Sequence, residues 1–393
     1  MFILQIPVII HHSPPSSMKH LLYIASFALL AACQTNSIES NDNTIHVGVF
    51  DKNGDSPDCI TDAVEACRID SGISVRVISA ADIMGGAADD IDVFLFPGGS
   101  GRSETGSLGL LGQQKIIDLV KGGKGVVGIC AGAYILSETP NYPSLALSGA
   151  EAIDIEHDHR GHGLVKFSLT EAGKKIFPEL SDSAIYYSLY YEGPVLVPAT
   201  NSKYKYSELA TMQSDVHTVA GTPANMTNNR PFVIVTDVEK GKSVSVVGHP
   251  EATQGMRWMI PRLVRLVAGK ELISYSANVM RPAIHTKEIL FTDSLLAKQD
   301  EAFGMLIKSK EEKLAALQAI VDMRAWSAKK YIPQMVRDSS FEVRLLAAKL
   351  TVELERTDAI PDLKAAVTTE TNPAQKQQLQ EQLRLLEMLK GKG

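Results

Sequence analysis

The stretch that most constrains the fold is GKGVVGICAGAYIL, residues 123–136. Val126, Val127 and Ile129 read as the end of a buried strand. Ala131, Ala133, Tyr134, Ile135 and Leu136 then open in a helical rhythm. Cys130 stands at the join, framed as Gly128-x-Cys130-x-Gly132, where the chain must turn sharply and only small neighbours relieve the crowding. This is the layout of a nucleophile elbow with sulfur in place of the serine oxygen. On these five residues alone, a buried structural cysteine explains the thiol equally well.

Strand and helix alternate around the elbow. Residues 44–50 and 73–79 read as strands, and 92–99 as a continuous apolar run ended by Pro97-Gly98-Gly99. Helices are expected over 57–70, with Ala63, Val64, Ala66 and Cys67 inward, and over 108–121, with Leu111, Ile116, Leu119 and Val120 as its apolar positions. Apolar strands separated by helices predict an α/β domain, its sheet mostly parallel and flanked by helices. Residues 150–250 are strand-rich, which predicts either a mixed extension of that sheet or a β lobe beside it. A closing helix is expected over 255–270. Trp258, Ile260, Leu263, Val264 and Val267 would pack, with Arg257, Arg262 and Arg265 toward solvent.

From about residue 295 the pattern is helical and glycine becomes scarce. Leu314 and Ala316 recur as Leu345 and Ala347, and Ile332-Pro333 recurs as Ile360-Pro361, a spacing of about 30 residues. Val343, Leu346, Ala347, Leu350 and Leu354 form one helical face, and Leu379, Leu383 and Leu386 mark a third, degenerate unit. These helix pairs resemble HEAT repeats. Residues 295–393 are therefore expected to form a small all-α repeat domain packed on the main one, since so few units are marginal alone. A plain helical appendage is the alternative.

The N-terminal leader carries an address. From Met18, the more physical start, Lys19 and His20 precede an apolar stretch over 21–30 that is too short to span a bilayer comfortably. Leu30-Ala31-Ala32-Cys33 follows and resembles a bacterial lipoprotein signal. By that resemblance residues 1–33 are the signal peptide and Cys33 is the lipidated first mature residue. Gln34 favours the outer membrane, at its periplasmic face. Residues 34–43 read as a polar tether. Membrane contact is expected through the lipid anchor alone. A net charge of −6, without a basic patch, argues against nucleic acid as a partner. Four cysteines are too few for a disulfide scaffold. Export leaves two readings of Cys59 and Cys67. They pair if Cys59 lies in the loop before the helix; on one continuous helix they are too far apart and stay buried thiols.

Two further segments give the elbow a chemical setting. In Phe96-Pro97-Gly98-Gly99-Ser100-Gly101, the amides of Gly98 and Gly99 can join that of Ala131 as an oxyanion hole. In Val246-Val247-Gly248-His249-Pro250-Glu251, His249 can take the thiol proton and Glu251 can fix the imidazole tautomer. Together with FPGGSG, GICAGAYIL, DIEHDHRGHGLVKF, YYEGPVL and GHPEATQG, the chain over 44–270 resembles the class I glutamine amidotransferase-like (flavodoxin-like) fold. Within that fold it is similar to the biotin-protein ligase N-terminal domain-like family. The resemblance implies Cys130 as nucleophile, His249 as base and Glu251 as its orienter. No ligase catalytic module follows, so biotinylation is not implied.

Other residues have roles conditional on the pocket. Arg160 is a candidate for a substrate carboxylate, and one face of the Tyr186–Tyr191 strand, through Tyr190 or Tyr191, for lining the site. His157, Asp158 and His159 could ligate a metal only by converging, and neighbours in a loop diverge as readily. No metal and no cofactor is expected. The expectation is a thiol-dependent amide hydrolase or acyl transferase acting through a thioester on a small amide or peptide-like substrate. The other reading is a non-catalytic binding or scaffold lipoprotein whose helical repeats hold a protein partner.

Overall fold

The computed structural model describes residues 43–390. The signal peptide, Cys33 and all of the tether but its last residue lie outside the described residues. In chain order the first elements are β1 (Ile45–Phe50), α1 (Pro57–Cys67), β2 (Ile73–Ile78), α2 (Ala80–Gly85), β3 (Val93–Phe96), α3 (Gly101–Lys121), β4 (Gly125–Ile129) and α4 (Ala131–Leu136). Then come β5 (Ala150–Ala152), β6 (His162–Leu169), α5 (Glu171–Ile176), β7 (Tyr186–Tyr191), β8 (Leu196–Pro198), β9 (Tyr206–Met212), β10 (Pro231–Val238), β11 (Gly241–Val246) and α6 (Met259–Val267).

The central sheet runs β6-β9-β10-β11-β4-β3-β1-β2. Its half from β2 to β11 is parallel, and from β11 to β6 it continues antiparallel. Of the two expectations for residues 150–250, the mixed extension of one sheet is the one observed.

Alternation sorts side chains onto the two faces. In β3, Val93 and Leu95 face one core cluster while Phe94 and Phe96 face the other; in β4, Val127 and Val126 divide the same way. α1 and α6 cover the first face, and α2, α3 and α4 the second. The sequence placed the second of these helices late. It starts at Gly101, capped by Ser100, and Gly109 breaks its phase at φ 61°, ψ 171°. Leu111, expected to pack, is 74% exposed for that reason.

After α6 the chain crosses to β12 (Ile289–Leu290), which pairs with β6, and enters α7 (Asp293–Met305), α8 (Lys310–Asp322), α9 (Ala328–Tyr331), α10 (Phe341–Glu353), α11 (Ile360–Thr369) and α12 (Pro373–Met388). This helical part shares one hydrophobic core with the first face of the sheet, and Thr44 onward forms one compact unit. Buried ion pairs fix the junction. Asp62 of α1 accepts from Lys329 and Arg356, and Glu65 accepts from Thr357 Oγ1 at 2.5 Å.

Arg257 and Arg262 therefore correct their sequence reading. Arg257 donates to the Glu355 carbonyl from a site 5% exposed. Arg262, 1% exposed, is held by Glu179 and by the carbonyls of Ile176 and Ile273. Trp258 beside it packs as expected.

Candidate active site

The site lies where β3, β4 and β11, neighbours in the sheet, reach their C-terminal ends, the usual ligand crevice of an open α/β sheet. β4 ends at Cys130, whose backbone is held at φ 52°, ψ −103°. A non-glycine residue there is strained and persists only where its surroundings over-determine it. The Cys130 amide donates to the Val246 carbonyl at 2.8 Å, tying the elbow to the end of β11. The flanking glycines answer to close approach. A Cβ on Gly132 would strike the Phe96 carbonyl, and one on Gly128 would strike the Gly132 carbonyl.

β11 delivers the histidine. The His249 amide donates to the Leu189 carbonyl at 2.7 Å, and Thr253 Oγ1 donates to the His249 carbonyl at 2.7 Å. Nδ1 of His249 bonds Glu251 Oε1 at 2.7 Å, and the imidazole lines the same cavity as Cys130. Both His249 and Glu251 are buried. Burial disfavours the imidazolium, but the Glu251 carboxylate and the Cys130 sulfur outweigh it and push His249 up to about 10. The thiol also lies 3.2 Å from the Tyr191 carbonyl, to which it can donate. The structure thus brings Cys130 and His249, separate in the sequence, to one cavity, with Glu251 bonded to the imidazole.

The loop after β3 closes the site from the third side. A Cβ on Gly98 would sit 2.6 Å from His249 Cε1, so only glycine lets this loop meet the ring. Nζ of Lys52, just past β1, donates to the Gly98 carbonyl and lies 3.2 Å from Glu104 Oε1; both side chains are fully buried. Burial pushes Glu104 up to about 8 against the pull of Lys52. Gly99 and Ala131 line a cavity of about 540 Å³ with Cys130, His249, Tyr134 and Tyr191.

The structure corrects two pocket candidates. The Arg160 guanidinium is wholly buried and taken up by Asp154, Tyr190 and the carbonyls of His157 and Gly193. Tyr190 is 1% exposed and donates to the Gly193 carbonyl at 2.7 Å. Tyr134 joins them through Asp154 at 2.6 Å, so Arg160 and Tyr190 belong to a buried polar network and do not line the cavity. Tyr191 is at the cavity wall. His159 and His162 turn to Glu192, at 3.2 and 3.3 Å, and among the described residues no group of histidine, cysteine and acidic side chains is placed to hold a metal ion.

Four participants escaped the sequence reading. Cys59 lies on α1, after all, as does Cys67, and both are free thiols; Cys59 faces the same cavity as Cys130. Lys52 and Glu104 carried no motif. Trp326, from the turn between α8 and α9, packs against His249 with ring centroids 4.8 Å apart at 69° and against Tyr191 at 5.2 Å. Its one sequence signal was rarity, since the chain has two tryptophans.

No protein-family model matches the chain, and no curated protein is similar to it at a significant level. Solved structures that resemble it include the CTPS glutaminase domain of Trypanosoma brucei with bound acivicin, at 14% identity and TM-score 0.38, covering 60% of this chain and 98% of that one. The cytoplasmic protein STM1381 of Salmonella typhimurium LT2 aligns at 12% identity and TM-score 0.37, covering 57% and 99%. The beta-galactosidase of Bacillus circulans sp. alkalophilus aligns at 13% identity and TM-score 0.37, covering 58% of this chain; the match spans 32% of that enzyme's length.

Proposed function

We propose that the protein is a thiol-dependent amide hydrolase or acyl transferase, and that its α/β part is of the class I glutamine amidotransferase-like kind. The observation that carries this is His249, bonded to Glu251 and lining one cavity with Cys130, which sits at a strained strand-to-helix turn. An imidazolium beside the sulfur favours the thiolate, as does the N-terminus of a helix. The thiolate attacks the amide carbonyl carbon. The new oxyanion needs two aimed donors. The amide of Ala131 is one. The Lys52–Gly98 contact supplies the argument for the other. In a planar trans peptide the carbonyl and the N–H point opposite ways, so fixing the Gly98 carbonyl on Lys52 turns the Gly99 N–H away from Lys52, and Gly99 lines the cavity.

The tetrahedral intermediate then collapses. The C–N bond breaks, its electrons go to the nitrogen, and the His249 imidazolium gives that nitrogen its proton. A thioester on Cys130 remains. Water, or another nucleophile, gives its proton to His249 and attacks the thioester. The thiolate leaves and the imidazolium is restored. Glu251 holds the ring orientation throughout.

The leader sequence supports an anchor at Cys33 on the periplasmic face of a bacterial outer membrane, and the recurrence of Ile-Pro and Leu-x-Ala supports a HEAT-like reading of the helical part. Exposed Ile307 and Tyr331 on that part favour a second reading, a binding module for a protein partner.

The test is intact-mass analysis of protein quenched in acid after incubation with a panel of small amides and peptides. An acyl adduct absent from Cys130→Ala is expected. A Cys130→Ala protein with full cellular function would favour the binding module instead. No adduct and no turnover across the panel, with ordinary slow alkylation of Cys130, would sink the enzymatic reading.

A further inference from the structure

Trp326 has a second side. Beyond it lies another cavity of about 680 Å³, and Trp326 and Tyr191 line both. The indole lies between the catalytic imidazole, 4.8 Å away by ring centroids, and this second space. The two cavities differ in chemistry. The first is rimmed by Asp58, Arg102, Asp158 and Glu192. The second is walled by Phe291, Leu296, Phe303, Leu306 and Met335, from β12's exit, α7 and the turn after α9. No lysine or arginine lines it; its charged or basic groups are Asp300 and His162, beside the phenols of Tyr191 and Tyr331 and the neutral polar Gln299, Ser327 and Gln334. Burial lowers His162 to about 4, so that imidazole is neutral at physiological pH. A space with no cation and largely carbon walls disfavours an anionic ligand and suits a hydrocarbon one.

We propose that this cavity is a substrate subsite, and that it takes a hydrocarbon substituent of several carbons carried by the amide whose carbonyl meets Cys130. The proposal rests on the Cys130–His249–Glu251 reading and names the substrate class for it: amides bearing an aliphatic chain or a large apolar side group. The polar end of such a molecule lies in the charged cavity and its apolar group passes the Trp326–Tyr191 wall. The helical part thereby belongs to the site as its specificity element, since it supplies Trp326 and most of the second cavity.

The substituent can sit on the acyl side of the scissile bond or on the amine side, and two series of reagents separate these. N-alkyl bromoacetamides carry the chain on the nitrogen. Alkyl chloromethyl ketones carry it on the carbonyl. Each series, from methyl to decyl, is reacted with the full chain at pH 7, and modification of Cys130 is followed by mass spectrometry. In one series the octyl reagent is expected to modify Cys130 at least ~30-fold faster than the methyl reagent, at limiting concentration, with saturation and a plateau at longer chains. Leu296→Trp, which fills the cavity from α7, is expected to bring that ratio to about 1. Ile307→Asp, at an 88% exposed position on the rim where folding is not at stake, is expected to lower it for the longest chains.

A ratio near 1 in both series on the wild-type chain overturns the subsite, and so does a gain that survives Leu296→Trp. Slow reaction of Cys130 with the methyl reagents is a different failure. It counts against the activated thiol, while the chain-length ratio still reads the cavity.

Discussion

The Trp326 indole stands edge-on to the His249 imidazole, 4.8 Å between ring centroids, although one side chain belongs to the helical part and the other to the end of β11. The imidazole, 2% exposed, is thus covered on this side by the helical part. Lys329, over the face of the same indole at 3.8 Å, anchors that part on Asp62. Removing the indole admits water, which screens the Glu251 and Cys130 charges that hold the imidazolium. Trp326→Ala should therefore lower the pH at which His249 loses its proton, from about 10 toward 6.5. NMR of nitrogen-labelled histidine reads this, and an unmoved titration would show that the indole contributes packing alone.

The same pairing has a consequence for stability. The folded-state pKa of His249 is raised above its ordinary 6.5 to about 10. The stabilisation linked to this proton is complete below about pH 6.5 and is lost as pH rises through about 10. Glu251→Gln removes the carboxylate responsible. The melting-temperature gap between wild type and Glu251→Gln should be widest near neutrality and narrow as pH approaches 10, measured by calorimetry. A gap that grows with pH has the wrong sign for this site.

The three free thiols among the described residues give an internal comparison. Burial pushes Cys59 up to about 12, opposed by Lys329 and aided by Asp62, and burial pushes Cys67 up to about 12 as well. Both stay protonated at pH 7. Substoichiometric iodoacetamide should label Cys130 first, even though Cys59 faces the same cavity. Peptide mapping decides it, and a first label on Cys59 would refute the thiolate at Cys130.

Lys52 offers a test that separates the oxyanion donors from the nucleophile. Lys52→Met frees the Gly98 carbonyl and should reduce amide turnover by about 10²-fold. Alkylation by iodoacetamide, a displacement with no oxyanion, should change little. The variant also leaves the Glu104 carboxyl buried without its partner, at a cost of about 1–3 kcal/mol. Lys52→Met with Glu104→Gln should recover most of the stability without recovering turnover, as read by urea denaturation beside the activity assay.

Asp62 holds the helical part onto α1 by pairing with two cations. Burial opposes its charge, yet Lys329 and Arg356 bring its carboxyl down to about 2. Its contribution is present above about pH 3.8 and is lost as pH falls through about 2. Asp62→Asn leaves Lys329 buried without its carboxylate, while Arg356 keeps Asp358, and should cost about 3–5 kcal/mol in urea denaturation. A change below 0.5 kcal/mol, of the order seen for surface pairs, would show that the apolar contacts alone dock the helices.

Much of this molecule is written locally. The apolar run into Cys130, the glycines on either side, the Pro-Gly-Gly ending β3 and the His-Pro-Glu ending β11 each state a strand and its exit, because hydrophobic period and turn chemistry act over a few residues. Parallel strands then must align their C-terminal ends, which is why three distant motifs could be read as one site. Arg160, Tyr190, Arg257 and Arg262 were misplaced for the converse reason. A charged or phenolic residue looks solvent-seeking in the text, and only a partner such as Asp154 or Glu179, brought in by folding, makes burial affordable.

Local pattern thus determined most of the strands and helices and singled out Cys130, His249 and Glu251 as candidates. The tertiary structure alone decided what surrounds them: Cys59 on the same cavity as Cys130, Lys52 on the Gly98 carbonyl and Trp326 against the imidazole. The physical reason is that these neighbours meet through one hydrophobic core shared by the sheet and the helical part. Which residues end up across such a core depends on how whole elements pack, and no short window of sequence carries that information.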